Sequence, residues 1–382
     1  MSAQDGLDGA VRGLLVVFSR IDDDRDRRRV THPLANLLVI ATCALLCGID
    51  DIEGIADFAA ARRSFFERWL PLPDENPSEA TFRRALGMVS PLQLELAFSR
   101  WNRARLIPHD QVLALDGKAV RGSACDEQTQ PLYLLHLWAT EQRLLLACTA
   151  INGAPAEPSN AALLLKGLQL AGAIVTGDAN FATSGVAQAI RETGANYCLA
   201  LKGNRATLHA HVCAFFEGGD ACRWEGTTVD RWEQAEQGHG RKEHRVVEAI
   251  AYDAWPLDEK AWPDLKTMVR ATRTRTVDGQ SSTETAYYLS SLQPDAPRLA
   301  AAIRDHWRVE NDLHYTLDVY FDEDARQISE RNAAENMSSF RKLALVMLKR
   351  VPDKKSLRSR RTKALLDVAY FETVLRSALA EK

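Results

Sequence analysis

The sequence predicts an α/β protein: a mixed sheet with helices on its faces, preceded by an all-helical unit and interrupted by a β-rich insertion. Three observations carry this. Through the first hundred residues the apolar positions recur at helical spacing. From about residue 110 the period changes, and short apolar runs follow in the order β-β-β-α-β-α-β. Residues 203–295 then break that order with alternating segments and the tryptophans Trp224, Trp232, Trp255 and Trp262.

A chain of 382 residues accommodates one large domain or two to three modest ones. With 46% hydrophobic and 26% charged residues, it has the composition of a globular protein with a full core. The net charge of −3 does not advertise a polyanion partner, but charge is uneven. Residues 341–382 hold 12 Lys/Arg against 4 Asp/Glu, centred on Lys354-Lys355, Arg358 and Arg360-Arg361. Such a block reads as a solvated or flexible segment, or as a nucleic-acid contact. The seven Cys show no paired Cys-x-x-Cys arrangement; Cys43 and Cys47 lie in an apolar run and are expected in a core. No structural zinc, no disulfides and a reducing cytoplasmic location are expected. The run Leu34 to Ile49 is short for a membrane span, and no signal peptide is read at the start.

In chain order, a weak helix over Val11–Phe18 precedes the charged run Asp22 to Arg29, expected as a loop. Thr31-His32-Pro33 opens a long apolar helix. A second helix is predicted from Ile52 to Trp69, a third begins with Ser78 as N-cap, and a fourth spans Leu92 to Ala104. Strands are predicted at Val112–Leu115, Leu132–Ala139, Leu144–Cys148, Ala173–Asp178 and Tyr197–Leu201. Helices fill Ser159–Leu170 and Phe181–Glu192. In the insertion, His244 to Tyr252 alternates, and a hairpin over Met268–Val277 and Thr285–Leu289 turns near Asp278-Gly279. The division is residues 1–108 as a helical domain, 109–202 with 296–350 as the core, 203–295 as the insertion, and 351–382 as a basic C-terminal tail or helix.

Asp116 and Asp178 are each predicted at the end of an apolar strand. In a β-β-β-α-β unit the first and fourth strands lie side by side, so the two carboxylates repel unless a cation separates them. Asp-Gly after a strand is also ordinary turn chemistry. Further on, Ile303, Trp307, Glu310 and His314 fall on one helical face, with Trp307 expected in the core. A Glu in such a stripe needs a partner. The three acidic residues together point to an oxygen-ligand site selective for Mg²⁺ or Mn²⁺. Two ions about 3.5–4 Å apart are the usual clamp for attack at a phosphodiester. The run Asp322-Glu323-Asp324 offers a competing ligand.

These motifs resemble those of DDE transposases of the ISAs1 family. The residues that carry the resemblance are Leu115-Asp116-Gly117-Lys118-Ala119-Val120-Arg121-Gly122-Ser123, Thr176-Gly177-Asp178-Ala179 and Leu201-Lys202-Gly203-Asn204. To these add His239-Gly240-Arg241, and His306-Trp307 through Glu310-Asn311 and Leu313-His314 to Asp322-Glu323-Asp324. Arg29, His32-Pro33-Leu34 and Pro77-Ser78 with Thr81-Phe82 match the associated helical domain. The resemblance implies an RNase H-like core and Asp116, Asp178 and Glu310 as catalytic ligands of two Mg²⁺ or Mn²⁺ ions. It implies double-stranded DNA as partner, at element ends and target, and a homodimer that holds two ends together. The implied location is the bacterial nucleoid. Lys118, Arg121, Lys202, Asn204, Arg241, His306, Asn311 and His314 are the expected DNA contacts. Phe181 and Thr183 stand where many relatives carry His and Gln. Ile303, His306 and Leu317 replace the Tyr, Arg and Lys of some IS4-type enzymes, so a hairpin-forming pathway is not implied. The function expected is cleavage at insertion-sequence ends and 3′-hydroxyl strand transfer. A stand-alone RNase H-like nuclease and a domesticated transposase that only binds DNA remain the alternatives.

Overall fold

The computed structural model describes residues 3–26, 28–103, 111–124, 130–238, 240–252 and 262–379. The chain opens with helices α1 (Ala3–Phe18), α2 (Leu34–Leu46), α3 (Ile52–Ala61), α4 (Arg63–Phe66), α5 (Glu79–Met88) and α6 (Pro91–Arg103). The expected single helix from Ile52 to Trp69 is two, because the chain breaks at Arg62 between α3 and α4. Ser78 caps α5 as its sequence position indicates, accepting from the Thr81 N–H at 3.3 Å. Cys43 and Cys47 lie buried in and beside α2, which is apolar on every side and buried along almost its whole length.

The sheet begins with β1 (Val112–Val120), β2 (Leu132–Ala139) and β3 (Leu144–Ile151), paired antiparallel. Helix α7 (Glu157–Leu165) crosses to β4 (Ile174–Gly177), parallel to β1; α8 (Ser184–Glu192) crosses to β5 (Asn196–Leu201), parallel to β4. The segment between β5 and the next core helix contains α9 (Ala206–Ala221), β6 (Val229–Gly238), β7 (Arg241–Ala251), β8 (Thr267–Val277) and β9 (Gln280–Ser290). Its strands continue the core sheet, since β9 pairs antiparallel with β5. Among the described residues the order is β3-β2-β1-β4-β5-β9-β8-β7-β6. The β8–β9 turn falls on Asp278-Gly279, both with positive φ (50° and 80°), as a tight two-residue hairpin requires.

After β9, α10 (Ala296–His306) packs Ala296, Leu299 and Ala302 against Val112, Ile174 and Cys198 of the central strands. A π-helical turn at Glu310–His314 leads into α11 (Tyr315–Tyr320). The chain closes with α12 (Arg331–Lys349), α13 (Leu357–Leu366) and α14 (Val368–Leu379). Helix α12 is buried from Met337 to Leu348 and lies between the sheet and helices α2, α5 and α6.

The basic C-terminal block is therefore split: Lys354, Lys355 and Arg358 at its centre are exposed, as a solvated segment or a nucleic-acid contact would be, whereas four of its other charges are buried. Arg341 and Lys342 are 1% exposed, and Arg360 and Arg361 are 8% and 6% exposed. The Arg361 guanidinium donates to the Leu45 and Tyr320 carbonyls, pairs with Asp50 and lies 4.1 Å from the Phe321 ring centre. Arg360 binds Asp353 at 2.8 Å and the Leu348 carbonyl at 2.6 Å. Arg360 and Arg361 are buried because each meets a carboxylate and a backbone carbonyl, Arg341 lies 3.9 Å from Glu323, and Lys342 donates to Cys148 Sγ at 3.2 Å. None of these partners is evident from a count of local charge.

Candidate active site

The apolar half of β1 is paired on both sides, but β4 stops at Gly177 opposite Leu115. Asp116 is thus the first residue of β1 beyond its parallel neighbour, and Asp178 is the first residue after β4. Asp116 does not end its strand. The long strand β2 carries β1 on to Val120, with Asp116 opposite His136 and Gly117 opposite Leu135, so this Asp-Gly pair is not a turn. The Asp116 side chain is 16% exposed. Burial, with the charges of Glu310 and Asp178, pushes its carboxyl up to about 7, against the opposing pull of His314 and the Gly117 N–H. Asp178 caps the turn after it, its Oδ1 accepting from the Asn180 N–H at 2.9 Å.

Glu310 opens the π-helical turn. The Thr316 hydroxyl donates to the Asn311 carbonyl five residues back, at 3.1 Å. The predicted common face for Ile303, Trp307, Glu310 and His314 does not form: Trp307 is already turned outward before this turn, and the extra residue per turn rotates His314 relative to it. His314 faces inward at 6% exposure, whereas Trp307 is 58% exposed and the Glu310 side chain 57%. Trp307 is therefore not a core residue. π-Helical turns of this kind occur often at functional sites.

His314 stands between two of the carboxylates, with Nδ1 3.6 Å from Asp116 Oδ2 and 3.9 Å from Glu310 Oε2. Its proximity pulls the Glu310 carboxyl below the ordinary range. His314 Nε2 is buried without a hydrogen-bond partner among the described residues. The His136 ring, 5.5 Å away, has both nitrogens buried in the same condition. Ligand atoms of Asp116, Glu310 and His314 all lie within 4.8 Å of one another; Asp178 is outside that group. The residues present fit a divalent cation. The Asp116 carboxyl is raised chiefly by burial and further by Glu310 and Asp178, a setting that a cation would relieve, and two of the three clustered donors are hard oxygens.

The other expected contacts separate into two kinds. Lys118 is buried at 7% exposure, with Nζ 2.7 Å from Asp318, 3.2 Å from Glu323 and 3.3 Å from Asp324. Burial opposes its charge, but Glu323, Asp318 and Asp324 outweigh burial and raise its pKa. The ammonium is consumed in this cluster and is not presented to a phosphate. Glu323, fully buried, also accepts from Ser338 at 2.7 Å, so the Asp322-Glu323-Asp324 run serves the cluster rather than competing for a cation. His306 shares a 3.0 Å hydrogen bond between Nδ1 and Thr176 Oγ1 on β4; burial drives its pKa to about 4, leaving the ring neutral. Asn204 donates to the Ala179 carbonyl at 2.8 Å, bracing the turn after Asp178. Arg121, Lys202 and Asn311 are exposed. Arg241 is exposed on β7, 3.2 Å from Glu243, away from the acidic group. His239 lies outside the described residues.

The residue that sequence reading missed is Glu157. It is 3% exposed at the start of α7, where its Oε1 accepts from the Tyr133 hydroxyl at 2.7 Å and its Oε2 from Asn180 Nδ2 at 3.0 Å. The predicted helix began two residues later, at Ser159. The available signal was Gly117 itself, a glycine inside a strand that leaves room for another group to approach.

The Transposase DDE domain family matches residues 107–347, and the DDE_Tnp_1-associated family matches residues 15–102. The chain is 31% identical over 376 residues to the putative transposase YncI of Escherichia coli O157:H7, covering 96% of this chain and 95% of the relative. It is 29% identical to the H repeat-associated putative transposase YhhI of Escherichia coli strain K12, with 96% and 98% covered. An uncharacterized protein in the dhlA 3′ region of Xanthobacter autotrophicus is 35% identical over 281 residues, 71% of this chain and 92% of the relative.

Proposed function

This chain belongs to the DDE transposase family, with an RNase H-like core, and from that premise we propose that it cuts DNA at the ends of an insertion sequence and joins the freed 3′-hydroxyl to target DNA. Asp116, Asp178 and Glu310 would hold two Mg²⁺ or Mn²⁺ ions, with His314 orienting the first and third carboxylates. The observation that carries this reading is the convergence of Asp116, Glu310 and His314, whose ligand atoms all lie within 4.8 Å of one another. Bound there, such ions activate an attacking oxygen and stabilise a leaving one.

The remaining residues position the site and the DNA. His306, neutral and bonded to Thr176, docks the helix bearing Glu310 onto β4 next to Asp178. Asn204 holds the backbone of the Asp178 turn. Arg121, Lys202 and Asn311, exposed near the acidic residues in sequence or fold, supply phosphate contacts, and Arg241 extends that contact along the outer strands. Trp307 offers an open indole face beside Glu310. The His306-Trp307 pair favours the ISAs1 branch, and a homodimer would bring two element ends together.

The test is cleavage and strand transfer of DNA taken from the two sides of the gene, with Mn²⁺ present. Asp116→Ala, Asp178→Ala and Glu310→Ala should each abolish both steps with an unchanged circular dichroism spectrum. Strand transfer retained by any of the three would refute the assignment.

A further inference from the structure

Glu157 is a buried carboxylate that no step above uses. Side chains alternate along β1, so Gly117 faces the opposite side of the sheet from Asp116, and Glu157 lies on that opposite side. A methyl group at Gly117 would run into the Glu157 carboxylate and come within 2.6 Å of the Tyr133 ring. The strand thus keeps a glycine where Glu157 reaches under it. Both Glu157 oxygens are occupied, one by Tyr133 on β2 and the other by Asn180. Asn180 in turn gives its backbone N–H to Asp178 Oδ1. Burial raises the Glu157 carboxyl while Tyr133 and Asn180 pull it back down. An apolar side chain would fill this space without the cost of burying a charge.

We propose that Glu157 is a positioning residue for the metal centre: anchored by Tyr133, it fixes Asn180 and so the turn that presents Asp178. Asn204 braces the same turn from its other side, through Ala179. The proposal rests on the reading of Asp178 as a cation ligand. Residues that orient ligands from behind typically change metal affinity about 10- to 100-fold when altered.

The experiment is Mn²⁺ binding to the full chain without DNA, followed by calorimetry and by the electron paramagnetic resonance of free Mn²⁺, at a temperature well below unfolding. Glu157→Leu, which keeps the bulk and removes both acceptors, is expected to weaken binding about tenfold. Asn180→Ala should cause a similar loss. The Glu157→Leu/Asn180→Ala double variant should be no worse than Asn180→Ala alone, because the first residue acts through the second. Tyr133→Phe, which keeps the carboxylate and removes one donor, should give a several-fold loss and serves if Glu157→Leu does not fold. Wild-type affinity in Glu157→Leu, or fully additive losses in the double variant, would overturn the proposal. Unchanged affinity in Asp178→Ala would overturn it together with the metal-site reading. Mn²⁺ binding lost in Asp178→Ala but kept at wild-type strength in Glu157→Leu would overturn the role of Glu157 alone.

Discussion

Asp116 illustrates how a single residue trades stability for chemistry. Its folded pKa of about 7 lies above the ordinary 3.8, so its contribution to stability is fully present below about pH 4 and is lost as pH rises toward 7. Asp116→Asn removes that penalty. At pH 8 without metal the variant should be more stable than the parent, by on the order of 2 kcal/mol in urea unfolding, and the gain should vanish near pH 4. A gain that is independent of pH would mean that burial of the carboxylate is not its source. Lys118 and Arg121, three residues apart, are expected to behave oppositely. Lys118→Ala removes the nearest counter-charge of buried Glu323, leaving Arg341 at 3.9 Å, and should destabilise by about 3 kcal/mol. Arg121→Ala, 82% exposed, should leave stability unchanged and lower the salt dependence of DNA binding. Nothing near Lys118 in sequence forecasts its fate, since its partners Asp318, Glu323 and Asp324 lie some two hundred residues further on.

At the scale of elements, the strand pair that carries Asp116 and Asp178 was legible because the order β-β-β-α-β admits few arrangements, and the register follows once β1 and β4 lie parallel. The Ser78 cap and the Asp278-Gly279 turn were legible for a similar reason: each depends on a few adjacent residues. The π-helical turn was not. Hydrophobic spacing reports an average period, and one inserted residue changes which side chains face the sheet without erasing the pattern. That turn separates Glu310 from His314 in direction, leaving the first open to a substrate and the second buried against Asp116. Deleting Asn311 should restore α-helical register. The expected variant folds, with helicity and melting temperature near the parent's, and no longer binds Mn²⁺ at the acidic group. Parental Mn²⁺ affinity in that variant would show that the turn is incidental.

At the scale of the molecule, the C-terminal helices hold the protein together. Arg361 joins the end of α2, through the Leu45 carbonyl and Asp50, to the end of α11 through the Tyr320 carbonyl. The helical unit and the helix carrying the third acidic residue are thereby coupled through one buried guanidinium. Arg361→Leu leaves Asp50 unpaired and should cost about 3 kcal/mol, read as a lowered urea midpoint. A surface role for Arg361 would predict no loss of stability and weaker DNA binding instead. Local charge density suggested a surface role for the whole block; the three-dimensional partners correct it for Arg360 and Arg361, while Lys354, Lys355 and Arg358 stay exposed. The 132-residue separation of Asp178 and Glu310 has a simple topological meaning: strands β6–β9 extend the sheet outward from β5 before the chain returns through α10 to the site.

A cation held between the carboxylates of β1, β4 and the π-helical turn is central to the proposed chemistry. The most direct test is anomalous diffraction at the manganese edge from crystals grown with Mn²⁺ and a cleaved DNA end. It should show density bounded by Asp116 and Glu310, with Asp178 drawn into the same shell and the DNA 3′ end against it. No anomalous peak there in crystals that bind the DNA end, or a peak on other ligands, would contradict it.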